Sequence, residues 1–181
     1  MNVLYERFRL RAEAVSAEVR RFATRAEAWA FLAGFLREQG VEGAPQPYAL
    51  CAVKTPLPLA EPIPGVRFDV SRESAATASV GISEMDWGVA DTGTLAQDAT
   101  AVGQRLVSTL PPVHVAFLPT ASIVPDLPAL FEKAGPGRCG YLALITGPSR
   151  TADIERVLTI GVHGPERLII LCVDEAEGAH A

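Results

Sequence analysis

Leu168-Ile169-Ile170-Leu171-Cys172-Val173 is the stretch whose reading decides the fold. Its hydrophobicity is continuous and does not alternate, so both faces of the strand it predicts are covered, as in a parallel or mixed sheet sandwiched by helices. Val113-His114-Val115-Ala116-Phe117-Leu118 and Tyr141-Leu142-Ala143-Leu144-Ile145 repeat the pattern, and Tyr48 to Val53 is a further compact apolar run. Shorter strands are predicted at Val80-Gly81-Ile82-Ser83 and Trp87-Gly88-Val89-Ala90, the latter joined to Thr94-Leu95-Ala96 by a turn at Thr92-Gly93. Helices are predicted from Pro125 to Ala134 and from Thr151 to Thr159. That alternation of strand and helix is the signature of an α/β layer architecture.

Outward from these strands, Leu4, Phe8, Ala12 and Val15 recur at helical spacing and predict an amphipathic N-terminal helix. Glu18 to Phe22 reads as a short edge strand. Thr24-Arg25-Ala26-Glu27 has the spacing of a capping box, Trp29, Leu32 and Leu36 supply the buried stripe of a second helix, and Gly40 suits the left-handed residue that ends it. Pro56 to Pro64 carries four prolines between apolar segments and reads as an irregular connection inside one domain. The expectation is a single α/β domain over 1–181, with a mixed, largely parallel sheet flanked by helices. Residues 1–40 form its N-terminal helical segment and 175–181 a flexible tail, which removes His180 as a ligand.

With 49% apolar and 20% charged residues, the 181-residue chain has the composition of a soluble globular protein. A formal net charge of −5 argues against a broad nucleic-acid footprint. Arg7, Arg9, Arg11, Arg20, Arg21 and Arg25 are interleaved with apolar and acidic residues and read as a solvated helix face. Cys51, Cys139 and Cys172 stand far apart without metal-ligand spacing, so no metal is expected in this chain. The start of the chain lacks the apolar core of a signal peptide and no stretch has membrane-spanning length, which gives a cytoplasmic expectation.

Two segments concentrate reactive groups. The first is Gly147-Pro148-Ser149-Arg150-Thr151-Ala152-Asp153-Ile154-Glu155, followed by Gly161-Val162-His163-Gly164-Pro165. A helix capped by Ser149 or Thr151 presents free amides to an anion, with Arg150 beside them. Asp153 and Glu155 then flank the stripe of Ile154, Val157, Leu158 and Gly161 on opposite sides and do not form a close acid/base pair. His163, in a turn before the last strand, either donates a hydrogen bond or shuttles a proton near neutral pH, or else holds its own turn. His114, inside an apolar strand, reads as a satisfied core histidine.

The second segment is Asp91-Thr92-Gly93-Thr94. Asp91 is a carboxylate at a strand end flanked by hydroxyls. A general base, a nucleophile, an acceptor for a substrate hydroxyl and an Asx-type turn all fit it. Gly93 permits a turn or a close backbone approach to a ligand. No Gly-x-Ser-x-Gly elbow, phosphate loop or Gly-x-Gly-x-x-Gly fingerprint is present, which weakens hydrolase, nucleotidase and dehydrogenase readings.

Taken together, Val80 to Ser83, Val89-Ala90-Asp91-Thr92-Gly93-Thr94, Leu110-Pro111-Pro112-Val113-His114, Thr146 to Glu155 and Gly161 to Pro165 resemble the LutC/YkgG family of lactate-utilisation proteins. The resemblance covers the C-terminal hundred or so residues, and many relatives carry Glu where this chain has Asp91. It implies a fold like that of ribose-5-phosphate isomerase and the CoA transferases. It also implies an accessory subunit, itself without a cofactor, of an iron–sulfur system that oxidises L-lactate to pyruvate. Partners would then be iron–sulfur oxidoreductase subunits and a small anionic metabolite, with neither nucleic acid nor membrane. The ligand would lie between Asp91-Thr92-Gly93-Thr94 and Gly147, Ser149, Arg150, Thr151 and Asp153, with His163 nearby, and Asp91 and His163 as catalytic candidates. The alternatives are a stand-alone isomerase, transferase or cyclo-ligase acting on a sugar phosphate, acyl-CoA or folate, and a purely structural interaction module.

Overall fold

Helix α1 (Val3–Ala14) buries Tyr5, Phe8 and Ala12 and leads into strand β1 (Glu18–Phe22). Helix α2 (Arg25–Glu38) starts on the expected capping box: the Glu27 N–H donates to Thr24 Oγ1 at 3.2 Å, and the Thr24 N–H donates back to the Glu27 carboxylate at 3.4 Å. Gly40, at φ +73°, follows the helix end. The chain continues through β2 (Ala49–Ala52), β3 (Val66–Arg67), α3 (Arg72–Thr77), β4 (Val80–Glu84), β5 (Trp87–Val89), β6 (Thr94–Asp98) and α4 (Val102–Thr109). Then come β7 (Val113–Pro119), a 3-10 turn, β8 (Ile123–Val124), α5 (Leu127–Ala134), β9 (Leu142–Ile145), β10 (Arg150–Ala152), β11 (Leu158–Ile160) and β12 (Arg167–Val173).

This computed structural model describes residues 3–41, 46–54, 63–135, 137–152, 158–160 and 164–174, with backbone alone at 151–152 and 158–160. Asp153, Glu155, Arg156 and His163, most of the Pro56 to Pro64 connection and the tail from Glu175 lie outside the described residues.

Six strands form one sheet in the order β1-β12-β7-β4-β2-β3, and every neighbouring pair in it is parallel. Its longest pairing is β12 beside β7, in register from Arg167 opposite Val113 to Val173 opposite Pro119. Alternate residues of these strands enter different layers. Ile169, Leu171, Val115, Phe117, Ile82 and Cys51 pack with Trp29, Leu32 and Leu36 of α2, and Trp29 stacks on Phe117 with ring centroids 4.7 Å apart. Leu168, Ile170, Cys172, Ala116 and Leu118 pack instead with Tyr5, Phe8 and Ala12 of α1. Cover on both faces is what the continuous apolar runs anticipated. Leu50 belongs to a third cluster with Ala75 of α3 and Val107 of α4.

The mixed character resides in a second sheet, ordered β8-β5-β6-β9, where β6 runs antiparallel to both β5 and β9 and β5 is parallel to β8. Leu130 and Ala134 of α5 pack on Val89, Ala96 and Val124 of this sheet, while its Leu95 and Ile123 join the α1 cluster.

Two expectations are corrected, and one helix is added. Of Tyr141 to Ile145, Leu142–Ile145 does form a strand, but at the edge of the small sheet, where Leu144 and the preceding Tyr141 stay exposed. The helix expected over Thr151 to Thr159 is not formed at its ends: Arg150–Ala152 and Leu158–Ile160 are antiparallel strands, with Thr151 opposite Thr159. Thr151, Thr159 and Ile160 are β-branched, and such side chains suit a pleated pair better than a helix. Helix α4 was not anticipated, because Gln104 and Ser108 share its buried face with Val107.

Candidate functional site

The two segments singled out in the sequence do meet, at the C-terminal end of α1. Gly93 (φ +66°) lies so close to that helix that a Cβ would stand 2.2 Å from the Ala12 backbone N, and a Cβ at Gly147 (φ +71°) would stand 2.4 Å from the Val15 carbonyl. Both glycines are therefore needed for close approach to the protein's own helix. Between them the hydroxyls of Thr92, Thr94 and Thr146 run in series, at 2.7 Å from Thr92 to Thr94 and 2.8 Å from Thr94 to Thr146. Asp91 pairs with Arg7 of α1, Arg150 donates to the Ser16 hydroxyl just after α1, and the Ser149 N–H donates to the Pro165 carbonyl at 2.8 Å.

The structure thus lays Asp91, Thr92, Gly93 and Thr94 along α1 from Arg7 to Ala12 and brings Gly147 and Arg150 to the residues just after it, Val15 and Ser16, whereas Ser149 is tied to Pro165. Thr151 belongs to β10, so among the described residues no N-terminal amides of an α-helix are presented there.

A second constellation lies at the carboxyl ends of the parallel strands, the side on which open α/β sheets place their ligands. Glu84 ends β4 and is buried; its Oε1 accepts from Arg25 Nη1 at 2.6 Å and its Oε2 from the Lys54 N–H at 2.9 Å. Two residues on, Asp86 accepts from Lys54 Nζ at 2.6 and 2.7 Å and from the Asp98 N–H at 2.7 Å. On the neighbouring strand ends, Asp174 accepts from Arg21 Nε at 2.9 Å and from the Thr120 hydroxyl at 2.8 Å. Beside Glu84 and Asp86 opens a cleft of about 700 Å3, walled on the far side by α5. Reading the sequence passed over Lys54, Glu84 and Asp86. Their signal was charge immediately after an apolar strand, at Ala49 to Ala52 and Val80 to Ser83.

Buried nucleophiles are held inert. Burial pushes the thiols of Cys51 and Cys172 up to about 12. His114 is fully buried; its Nε2 lies 2.7 Å from Ser83 Oγ, while Nδ1 has no hydrogen-bonding partner among the described residues. The expectation of a fully satisfied core histidine therefore holds for one ring nitrogen only.

With this geometry in view, a family model described as LUD domain matches residues 5–173. The chain belongs to the LUD domain family. The match spans the α1 helix end, both sheets and the carboxyl-end cleft, and it bears out the LutC/YkgG resemblance. Among LUD relatives, "Lactate utilization protein C" of Exiguobacterium sp. is 34% identical over 113 residues, which is 59% of this chain and 49% of that protein. "Uncharacterized protein YkgG" of Escherichia coli is 32% identical over 107 residues, 56% of this chain and 46% of the relative. The chain thus spans about half the length of these curated relatives. A crystal structure of a DUF162 family protein from Deinococcus radiodurans shares this fold, with a TM-score of 0.67 at 20% identity over 94% of this chain and 96% of that one. Among the described residues no helix is long and apolar enough to cross a membrane.

Proposed function

We propose that this LUD domain protein serves lactate utilisation as an accessory subunit of an iron–sulfur system that oxidises L-lactate to pyruvate, and that it binds a small anionic metabolite. The observation that carries the reading is its similarity, at about one residue in three over more than a hundred, to proteins named lactate utilization protein C. The anion belongs at the end of α1, where the hydroxyls of Thr92, Thr94 and Thr146 form one series beside the Arg7 and Arg150 segments. Hydroxyl donors backed by guanidinium groups are the chemistry that receives a carboxylate.

A clean chromosomal deletion tests the role. Growth on L-lactate as sole carbon source is expected to fail and to return on complementation, and the tagged protein is expected to co-purify with iron–sulfur subunits. Undiminished lactate growth in the deletion overturns the reading.

A further inference from the structure

We propose that the carboxyl-end cleft is a second ligand site, separate from the α1 end, for an amphipathic organic anion: an aromatic or branched apolar body carrying one carboxylate or sulfonate. Three observations carry this. At about 700 Å3 the cleft has the size of sites that hold drug-sized molecules, roughly 300–1,000 Å3, and a three-carbon acid leaves most of it empty. Its apolar lining is supplied by Trp87, Ile123, Val124 and, from the α5 wall, Ala129, and Trp87 offers a ring for stacking.

The polar groups then set the sign of the ligand. Glu84 and Asp86 have all four carboxylate oxygens engaged, by Arg25, Lys54 and Asp98, so neither is an open acceptor. Lys54 Nζ spends two contacts on Asp86 and has a third proton to give. Lys133 is exposed on the α5 wall and forms no ion pair among the described residues. Glu132 beside it is the one carboxylate in the lining without such a commitment. The uncommitted groups are thus two donors, the third Lys54 proton and the Lys133 ammonium, against the single carboxylate of Glu132, and it is on these two donors that the anionic head of an apolar body would be held.

The proposal does not rest on the lactate reading, and its test is separate. The full chain is titrated with 1-anilinonaphthalene-8-sulfonate under native conditions, in parallel with the uncharged N-phenyl-1-naphthylamine, which has a similar body without the sulfonate. One saturable site is expected for the sulfonate, displaced by phenylpyruvate and not by pyruvate. Ala129→Trp fills the cleft and Lys133→Glu reverses its open charge; each is expected to weaken the sulfonate about tenfold or more. Gly34→Trp, on the helix α2 side and away from the cleft, leaves binding unchanged. Equal affinity for the uncharged dye, displacement by pyruvate as effective as by phenylpyruvate, or unaltered binding in Lys133→Glu overturns the proposal. Because Lys133 is exposed, that variant decides the matter even if Ala129→Trp perturbs folding.

Discussion

Ser83 Oγ and His114 Nε2 lie 2.7 Å apart with both residues fully buried, so the imidazole sits in a site that favours its neutral form. Burial pushes His114 from its ordinary 6.5 down to about 4. Between those values the unfolded chain binds a proton that the folded chain refuses. Stability is therefore full above pH 6.5 and falls as the pH drops toward 4, by an amount on the order of 3 kcal/mol. Urea melts from pH 7.5 to 4 are expected to show this slope, and His114→Gln, which has no proton to gain, is expected to flatten it.

The charge pair at the end of β4 predicts an effect of comparable size. Glu84 is 3% exposed and takes Arg25 Nη1 at 2.6 Å, with the Arg25 side chain itself 12% exposed. Removing one member of a buried pair leaves a charge that was desolvated for its partner. Glu84→Leu is expected to lower stability by about 2–4 kcal/mol in chemical denaturation. The Glu84→Leu, Arg25→Met double variant is expected to recover part of that loss. Equal losses in single and double variants would show that the pair does not act as a unit.

How much of this was readable from the residues alone follows from where each signal resides. β12 and β7 announce themselves because every position is apolar, and α2 because its cap and its stripe are local. Helix α3 buries only Ala75, and α4 buries Gln104 and Ser108, so neither leaves an apolar stripe to read. Lys54 and Glu84 are thirty positions apart and become one site only because β2 lies beside β4, a sheet order that no local pattern encodes. The meeting of the Asp91 and Gly147 segments was anticipated from the family blocks. That both pack on α1 was not, because the contact is made by glycines, which show only the absence of a side chain.

Glycine substitutions are expected to act with opposite signs. A Cβ at Gly81 would stand 1.8 Å from the Val107 carbonyl oxygen, a backbone atom that moves only if α4 is displaced from β4. Gly81→Ala is expected to cost about 3 kcal/mol or more. Gly34, inside α2, meets nothing within 4 Å, so Gly34→Ala is expected to stabilise by about 0.5–1 kcal/mol through helix propensity. Thermal melts of the two variants suffice.

The thiols should separate by accessibility. Cys51 and Cys172 are buried with their ionisation pushed up to about 12, whereas Cys139 is half-buried and donates to the Ala134 carbonyl at 3.2 Å. The thiolate is the reactive form, so the two buried residues are protected twice over. Titration of the native protein with a disulfide reagent is expected to modify Cys139 first, with Cys51 and Cys172 following only on unfolding. Fast modification of the native protein in a Cys139→Ser variant would contradict this.

Asp91 allows function and stability to be told apart. Its carboxylate pairs with Arg7, and the two side chains are 37% and 52% exposed, so water screens the pair. Asp91→Asn is expected to change stability by no more than about 1 kcal/mol. If the α1 end is the anion site that lactate utilisation requires, the same substitution is expected to abolish complementation of the deletion strain on L-lactate while the protein accumulates normally. Arg7→Gln removes the same ion pair without touching the carboxylate. A growth defect shared equally by both variants assigns the effect to the pair, and a defect confined to Asp91→Asn assigns it to the carboxylate itself.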